Sequence, residues 1–196
     1  MHLPRTGFQY QPLDNEMARM FWGVIPVERV AALFYYEAGS ATANILYDLK
    51  YRGHEEIGQV MGRMMARELL PSGFFDGIDL LVAVPLSKKR QRQRGYNQSR
   101  LLAQGISEVT GIEMGDKVIR RIQFQESQTR KDYWERQKNV EGVFQLMEGA
   151  HIAGKHVLLI DDVVTTGATM TACARELLRN EGVQVSILSL GFSKSQ

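Results

Sequence analysis

Three short apolar runs constrain this chain more than any other feature: DLLVAV (79–84), KHVLLI (155–160) and VQVSILSLGF (183–192). They are continuous rather than alternating, and the first is closed by Pro85, which is the pattern of strands buried on both faces. Helical periodicity fills the intervals. NQSRLLAQGISEVTG (97–111) closes at Gly111, and ATMTACARELLRNEG (168–182) closes at Gly182. Strand and helix in alternation, with apolar strands, predict an α/β fold: a doubly wound, mainly parallel sheet with helices on both faces.

Upstream, VAALFYY from Val30 predicts a further strand. SATANILYDLKYR follows with Ile45, Leu46 and Leu49 at helical spacing and Ser40 as an N-cap. EEIGQVMGRMMARELL (55–70) repeats the pattern until Pro71 and Gly73 stop it, its Met61–Met65 stripe being core. Residues 1–29 carry Pro4, Pro12 and Pro26 and predict an amino-terminal arm with a short helix around Glu16 to Trp22. The main domain is then 30–196. Residues 115–145 fit no long element, and such a segment in an α/β domain predicts a functional loop or lid.

Composition narrows the class. Of 196 residues, 44% are hydrophobic, enough for a core, and the net charge is only +2. The single cysteine, Cys173, excludes an internal disulfide and fits a reducing compartment. No signal-peptide pattern opens the chain, and no apolar run reaches the roughly 20 residues that span a bilayer. The expectation is a soluble, cytoplasmic protein without membrane contact.

The chemistry concentrates in VLLIDDVVTTGAT (157–169). In an open parallel sheet, ligands bind outside the carboxyl ends of the strands, where Asp161 and Asp162 fall. The turn that follows enters a helix near Ala168, whose first N–H groups lack partners and carry the positive end of the dipole. Backbone N–H groups and the hydroxyls of Thr165, Thr166 and Thr169 can hold a phosphate there, and Gly167 permits close approach. Two carboxylates beside a phosphate cradle make sense if the ligand also carries neutral hydroxyls. The pattern therefore predicts a ribose whose 2′ and 3′ hydroxyls meet Asp161 and Asp162 while its 5′-phosphate sits in residues 165–169. The bland alternative is an exposed Asp-Asp turn before a threonine-capped helix. The lysine of a nucleotide-hydrolysing P-loop is missing from the turn.

IDDVVTTGAT resembles the phosphoribosyl pyrophosphate (PRPP) motif of type I phosphoribosyltransferases. LKYRG (49–53), VPLSKKRQRQRGYNQSRLLAQGI (84–106), SQTRKDYWERQKNVEGVF (127–144) and VLLIDDVVTTGATMTACARELL (157–178) are together similar to the ComF family of phosphoribosyltransferase-like proteins, a likeness covering roughly residues 30–192. The resemblance implies a type I phosphoribosyltransferase-like fold. It also implies a pentosyl-class glycosyltransferase of nucleotide metabolism, acting on PRPP with Mg2+ and on a nucleobase or other nitrogen acceptor. The family name adds competence, with single-stranded DNA as a possible partner, and a non-catalytic PRPP-binding regulator is a further alternative. Members commonly open with a zinc ribbon of two Cys-x-x-Cys pairs; no cysteine precedes Cys173 here, so no bound zinc or other resident metal is expected.

By position, KKRQRQR matches the family's pyrophosphate-binding loop, with Lys88, Lys89, Arg90, Arg92 and Arg94 as its cations. A solvated charge run and a contact to single-stranded nucleic acid compete with that role, Tyr96 being a candidate to stack on a base. Asn97 is either a helix cap or a ligand contact. SQTRKDYWERQKNV resembles the loop that closes over PRPP, with Arg130, Lys131 and Arg136 reaching the pyrophosphate; alternatively Tyr133, Trp134 and Val140 anchor a surface helix. Cys173 is expected in the core, and His2, His54, His151 and His156 take no role. Lys50, Tyr51 and Gly53 lie in the LKYRG segment but carry no chemistry that sequence alone assigns.

Overall fold

The computed structural model describes residues 3–51, 55–122 and 142–193. Its main sheet has five strands in the order β1 (Val30–Tyr35), β7 (Gln184–Phe192), β6 (His156–Val164), β2 (Leu80–Ala83) and β3 (Glu113–Met114), and all neighbours are parallel. A separate antiparallel pair joins β4 (Ile119–Arg121) to β5 (Phe144–Leu146). The α-helices are α1 (Glu16–Arg19), α2 (Ala41–Tyr51), α3 (Glu55–Leu69), α4 (Lys88–Arg94), α5 (Gln98–Thr110) and α6 (Ala168–Leu178). Among the described residues, no helix is long and apolar enough to cross a membrane.

The winding positions the site. From β2 the chain passes through α5 to β3 at one edge; from β6 it passes through α6 to β7 in the opposite direction. Parallel crossovers of this kind are right-handed, so α5 and α6 cover opposite faces. The expected doubly wound sheet is present. Its direction reverses between β2 and β6, and a crevice opens at the carboxyl ends of strands where that happens.

The strand expected at 155–160 runs on to Val164, so both aspartates lie within β6 rather than after it. Its partner explains the extension. The amide of Val84 still donates to the Ile160 carbonyl, at 2.9 Å, on the β2 side. Beyond that point β7 alone continues the ladder, pairing Asp161 with Ser189, Val163 with Gly191 and Val164 with Phe192. Asp161 and Asp162 thus stand on a backbone fixed from one side and open on the other.

Three further local differences have local causes. The basic run expected as a loop is a helix, α4: Ser87 accepts from the Arg90 amide at 3.3 Å, and Gly95 ends the helix at φ 81°. Helix α6 stops at Leu178 instead of continuing to Gly182, because the Asn180 side chain donates to the Leu177 carbonyl at 3.0 Å. Helices α3 and α5 approach until backbones touch. A Cβ on Gly62 would fall 2.1 Å from the Leu102 carbonyl oxygen, and one on Gly105 would fall 2.1 Å from that of Gln59.

The amino-terminal arm closes the other side of the sheet. Phe8, Met17, Ala18, Phe21 and Ile25 join the core with the apolar residues of β1, β6 and β7. Asn15 caps α1, accepting from the Ala18 amide at 2.9 Å, and its amide group donates to the Val30 carbonyl at 2.8 Å. The short helix expected near Glu16 is present but spans only Glu16–Arg19.

Candidate functional site

The turn after β6 leads directly into the amino terminus of α6. Gly167 adopts φ 72°, a left-handed conformation in which a Cβ is strained, and it sits at the N-cap of α6. Its carbonyl accepts from the Thr171 amide at 2.8 Å, which starts the helix. Thr165 and Thr166 are exposed, while Gly167 is buried against Phe21 and Met20 of the arm. A pocket opens here, lined by Asp161, Val163, Val164, Thr165, Thr166, Gly167, Ala168, Thr169 and Met170. All five residues expected to hold the phosphate, with one of the two expected carboxylates, therefore share one cavity.

The aspartates have different surroundings, as successive residues of a strand must. Asp161 lines the pocket, and its Oδ1 accepts from the Ser99 hydroxyl at 2.8 Å and from the Asp162 amide at 2.8 Å. Burial raises its pKa to about 7, and the Asp162 charge adds to the shift; the Ser99 hydroxyl, the Asp162 amide and Lys50 oppose it. Asp162 instead meets Lys50 of α2, with Nζ to Oδ2 at 3.2 Å. Ser99 and Lys50 escaped sequence reasoning, because neither belongs to the Asp-Asp-Thr-Thr-Gly signature and each reaches it only through the fold.

Asn97 resolves as a cap: its Oδ1 accepts from the Ser99 amide at 3.0 Å and its amide group donates to the Val84 carbonyl at 3.0 Å, fastening the end of β2 to the start of α5. This bond places Ser99 beside Asp161. Tyr96 is buried, and its hydroxyl donates to the Leu49 carbonyl at 2.9 Å, so it offers no ring for base stacking.

The cations of α4 divide by exposure. Lys88, Lys89, Arg90 and Arg92 are exposed, whereas Arg94 is half-buried and donates to Gln98 Oε1 at 2.7 Å. Arg121, at the end of β4, is half-buried with its guanidinium 5.4 Å from the Phe144 ring centre. Its pKa is lowered by burial and then by Arg90, and Asp161 pulls it back. Arg130, Lys131 and Arg136 lie outside the described residues.

Cys173 is buried in α6, and burial raises its thiol pKa. That suits packing rather than nucleophilic chemistry. His156 is also buried, with Nε2 2.9 Å from Ser186 Oγ, and its pKa is lowered by burial and then by Arg29.

The described residues hold no group of three or more His, Cys, Asp or Glu side chains placed for a metal ion. They do offer one or two carboxylates beside the pocket at the 165–169 turn. That donor set fits magnesium arriving on a ligand's phosphates rather than a protein-built cage.

Comparison with known proteins agrees with this geometry. The phosphoribosyl transferase domain family matches residues 82–192, from β2 to the end of β7. The chain belongs to that family. The DNA utilization protein YhgH of Salmonella typhi is 32% identical over 149 residues, covering 74% of this chain and 65% of that protein. The competence protein ComFC of Bacillus subtilis is 35% identical over 116 residues, covering 59% of this chain and 45% of that protein. The chain therefore spans just under two thirds of the first relative and under half of the second. A hypoxanthine phosphoribosyltransferase from Staphylococcus aureus superposes with a TM-score of 0.41 at 18% identity, covering 78% of this chain and 71% of that one. The ComF resemblance and the type I phosphoribosyltransferase fold class both stand.

Proposed function

We propose that this protein binds PRPP and transfers its phosphoribosyl group to a nitrogen acceptor. The observation that carries the proposal is the single pocket in which Asp161 and the 165–169 turn face each other at the reversal point of the sheet. The 5′-phosphate sits on the turn and the first amides of α6, with Thr165, Thr166 and Thr169 adding hydroxyl donors. Asp161 and Asp162 accept from the ribose hydroxyls. Lys88, Lys89, Arg90 and Arg94 are the cations assigned to the diphosphate.

Magnesium supplies charge neutralisation to the departing diphosphate. The chain's residues do the rest by position and field. The bond from C1 of the ribose to the diphosphate oxygen breaks as the nitrogen lone pair bonds to C1, and the diphosphate leaves with the electron pair. Positive charge that develops on the ribose is stabilised by the Asp161–Asp162 pair beneath it. No general base is required of the protein, because leaving-group stabilisation and alignment drive such a step. On this reading the protein serves nucleotide metabolism, with the cytoplasm as its proposed location.

The test is pyrophosphate release from PRPP with Mg2+ across a panel of nucleobases, ammonia and amide donors. Acceptor-dependent release that Asp161→Asn abolishes supports the proposal. Tight PRPP binding with no release for any acceptor would leave a PRPP-binding regulator in its place.

A second reading is favoured by the exposed cations of α4 and by the DNA-utilization and competence names of the relatives. Lys88, Lys89, Arg90 and Arg92 present a charged helix that could track a phosphodiester backbone. Single-stranded DNA binding that weakens steeply with salt, and is lost when Lys88, Lys89 and Arg90 are changed to Gln, would support it.

A further inference from the structure

The LKYRG segment has no part in the ligand contacts proposed so far, yet its lysine reaches one of the carboxylates that make them. Lys50 lies in the last turn of α2, and its side chain and that of Asp162 are only 20% and 12% exposed. The end of α2 is fastened beside the β2–α5 connection by the Tyr96 hydroxyl on the Leu49 carbonyl. An ion pair this enclosed gains little stability over an apolar pair of the same shape, because both charges lose water. Its position, at the reversal point of the sheet and on a carboxylate proposed to bind ribose, calls for a different explanation. A lysine ammonium has three donors, and one carboxylate oxygen takes only one of them.

The geometry of the ligand supplies the rest. In a 5-phosphoribosyl 1-diphosphate, the carbon bearing the 2′ hydroxyl is bonded to the carbon bearing the diphosphate. A cation in hydrogen-bond contact with the carboxylate that accepts the hydroxyl is therefore within reach of the first phosphate of the diphosphate. We infer that Lys50 contacts the ligand, sharing its ammonium between Asp162 and the diphosphate. The inference rests on the PRPP reading of the site and extends it to a residue outside both the basic helix and residues 123–141. Lys50 holds Asp162 before the ligand arrives and donates to the diphosphate afterwards.

Titration calorimetry with Mg2+ tests this on wild type, Lys50→Gln and Lys50→Arg, using PRPP and ribose 5-phosphate separately. Lys50→Gln is expected to weaken PRPP binding tenfold or more and ribose 5-phosphate binding less than twofold, with Lys50→Arg recovering most of the loss. Equal losses for both ligands would mean that Lys50 only positions Asp162 and would overturn the diphosphate contact. Unchanged affinities would overturn it too. Wild type binding neither ligand would remove the site reading itself, an outcome distinct from a wild type that binds and a variant that does not differ. Acylation footprinting of unaltered protein guards against a variant that misfolds. PRPP with Mg2+ should protect Lys50 and ribose 5-phosphate should not; equal reactivity in all states contradicts the inference.

Discussion

The Ser99 hydroxyl donates to Asp161 Oδ1 at 2.8 Å, joining the first turn of α5 to the pocket carboxylate of β6. A carboxylate that is largely desolvated needs such donors, because hydrogen bonds to the charged form are what keep it ionised. Ser99→Ala removes one of them. The expected loss at pH 8 is about 1.5–3 kcal/mol, the usual range for a hydrogen bond to a charged group. At pH 5, where Asp161 is mostly protonated, the loss should be smaller. Thermal denaturation at the two pH values checks this.

The same carboxylate sets a pH dependence whose sign is fixed. Its folded pKa, about 7, is above that of an unfolded aspartate, so the unfolded chain releases the proton first as pH rises. The group favours the folded state below the unfolded pKa, and that contribution is lost as pH rises through the folded pKa. Asp161→Asn retains an acceptor for Ser99 and for the Asp162 amide without the charge. Relative to wild type, its melting temperature should rise at pH 8 and the gap should shrink towards pH 5. A gap independent of pH would show that Asp161 titrates normally.

Gly62 and Gly105 hold α3 and α5 at backbone contact, so neither position has room for a methyl group. Because the obstructing atoms are backbone carbonyl oxygens, the helices themselves must separate. Gly62→Ala is expected to destabilise at the upper end of the overpacking range, about 3 kcal/mol. Val60→Ala, on an exposed position of the same helix, should stay within about 0.5 kcal/mol. Chemical denaturation of the two variants gives the comparison.

Gly167→Ala combines a strained backbone with a crowded one, since φ is 72° and a Cβ would lie 3.3 Å from the Phe21 ring. A left-handed non-glycine residue costs about 1–2 kcal/mol. The expected result is a modest fall in melting temperature and a larger, at least tenfold, loss of ribose 5-phosphate affinity, because the turn is the proposed phosphate cradle. Affinity unchanged in a folded variant would place the phosphate elsewhere.

Much of this architecture is legible in sequence because it depends on local patterns. Apolar β-runs ending at Val84 and Phe192, and helical spacing between Asn97 and Gly111, mark their elements without knowledge of the fold. The end of β6 is not local. Aspartates are poor strand residues, and only the length of β7 carries the ladder through Asp161 and Asp162 to Val164. Helix α4 was obscured for another reason: its residues are mostly charged or Gln and offer no apolar stripe, so only Ser87 and Gly95 at its ends signal a helix. The phosphate turn was readable as a contiguous motif. Ser99 and Lys50 were not, since they come to the acid pair from α5 and α2 through tertiary packing alone.

The central claim is that Asp161, Asp162 and the 165–169 turn form a ribose-phosphate site. It is tested most directly by the melting temperature with PRPP and Mg2+, for wild type beside the double variant Asp161→Asn/Asp162→Asn. Ligand at about 100 times its dissociation constant stabilises by about 2.7 kcal/mol, or roughly 5–11 °C for a chain of this size. The account predicts that rise in the wild type and its loss in a folded double variant. A wild type that melts at the same temperature with and without the ligand, or a double variant that keeps the full rise, would contradict it.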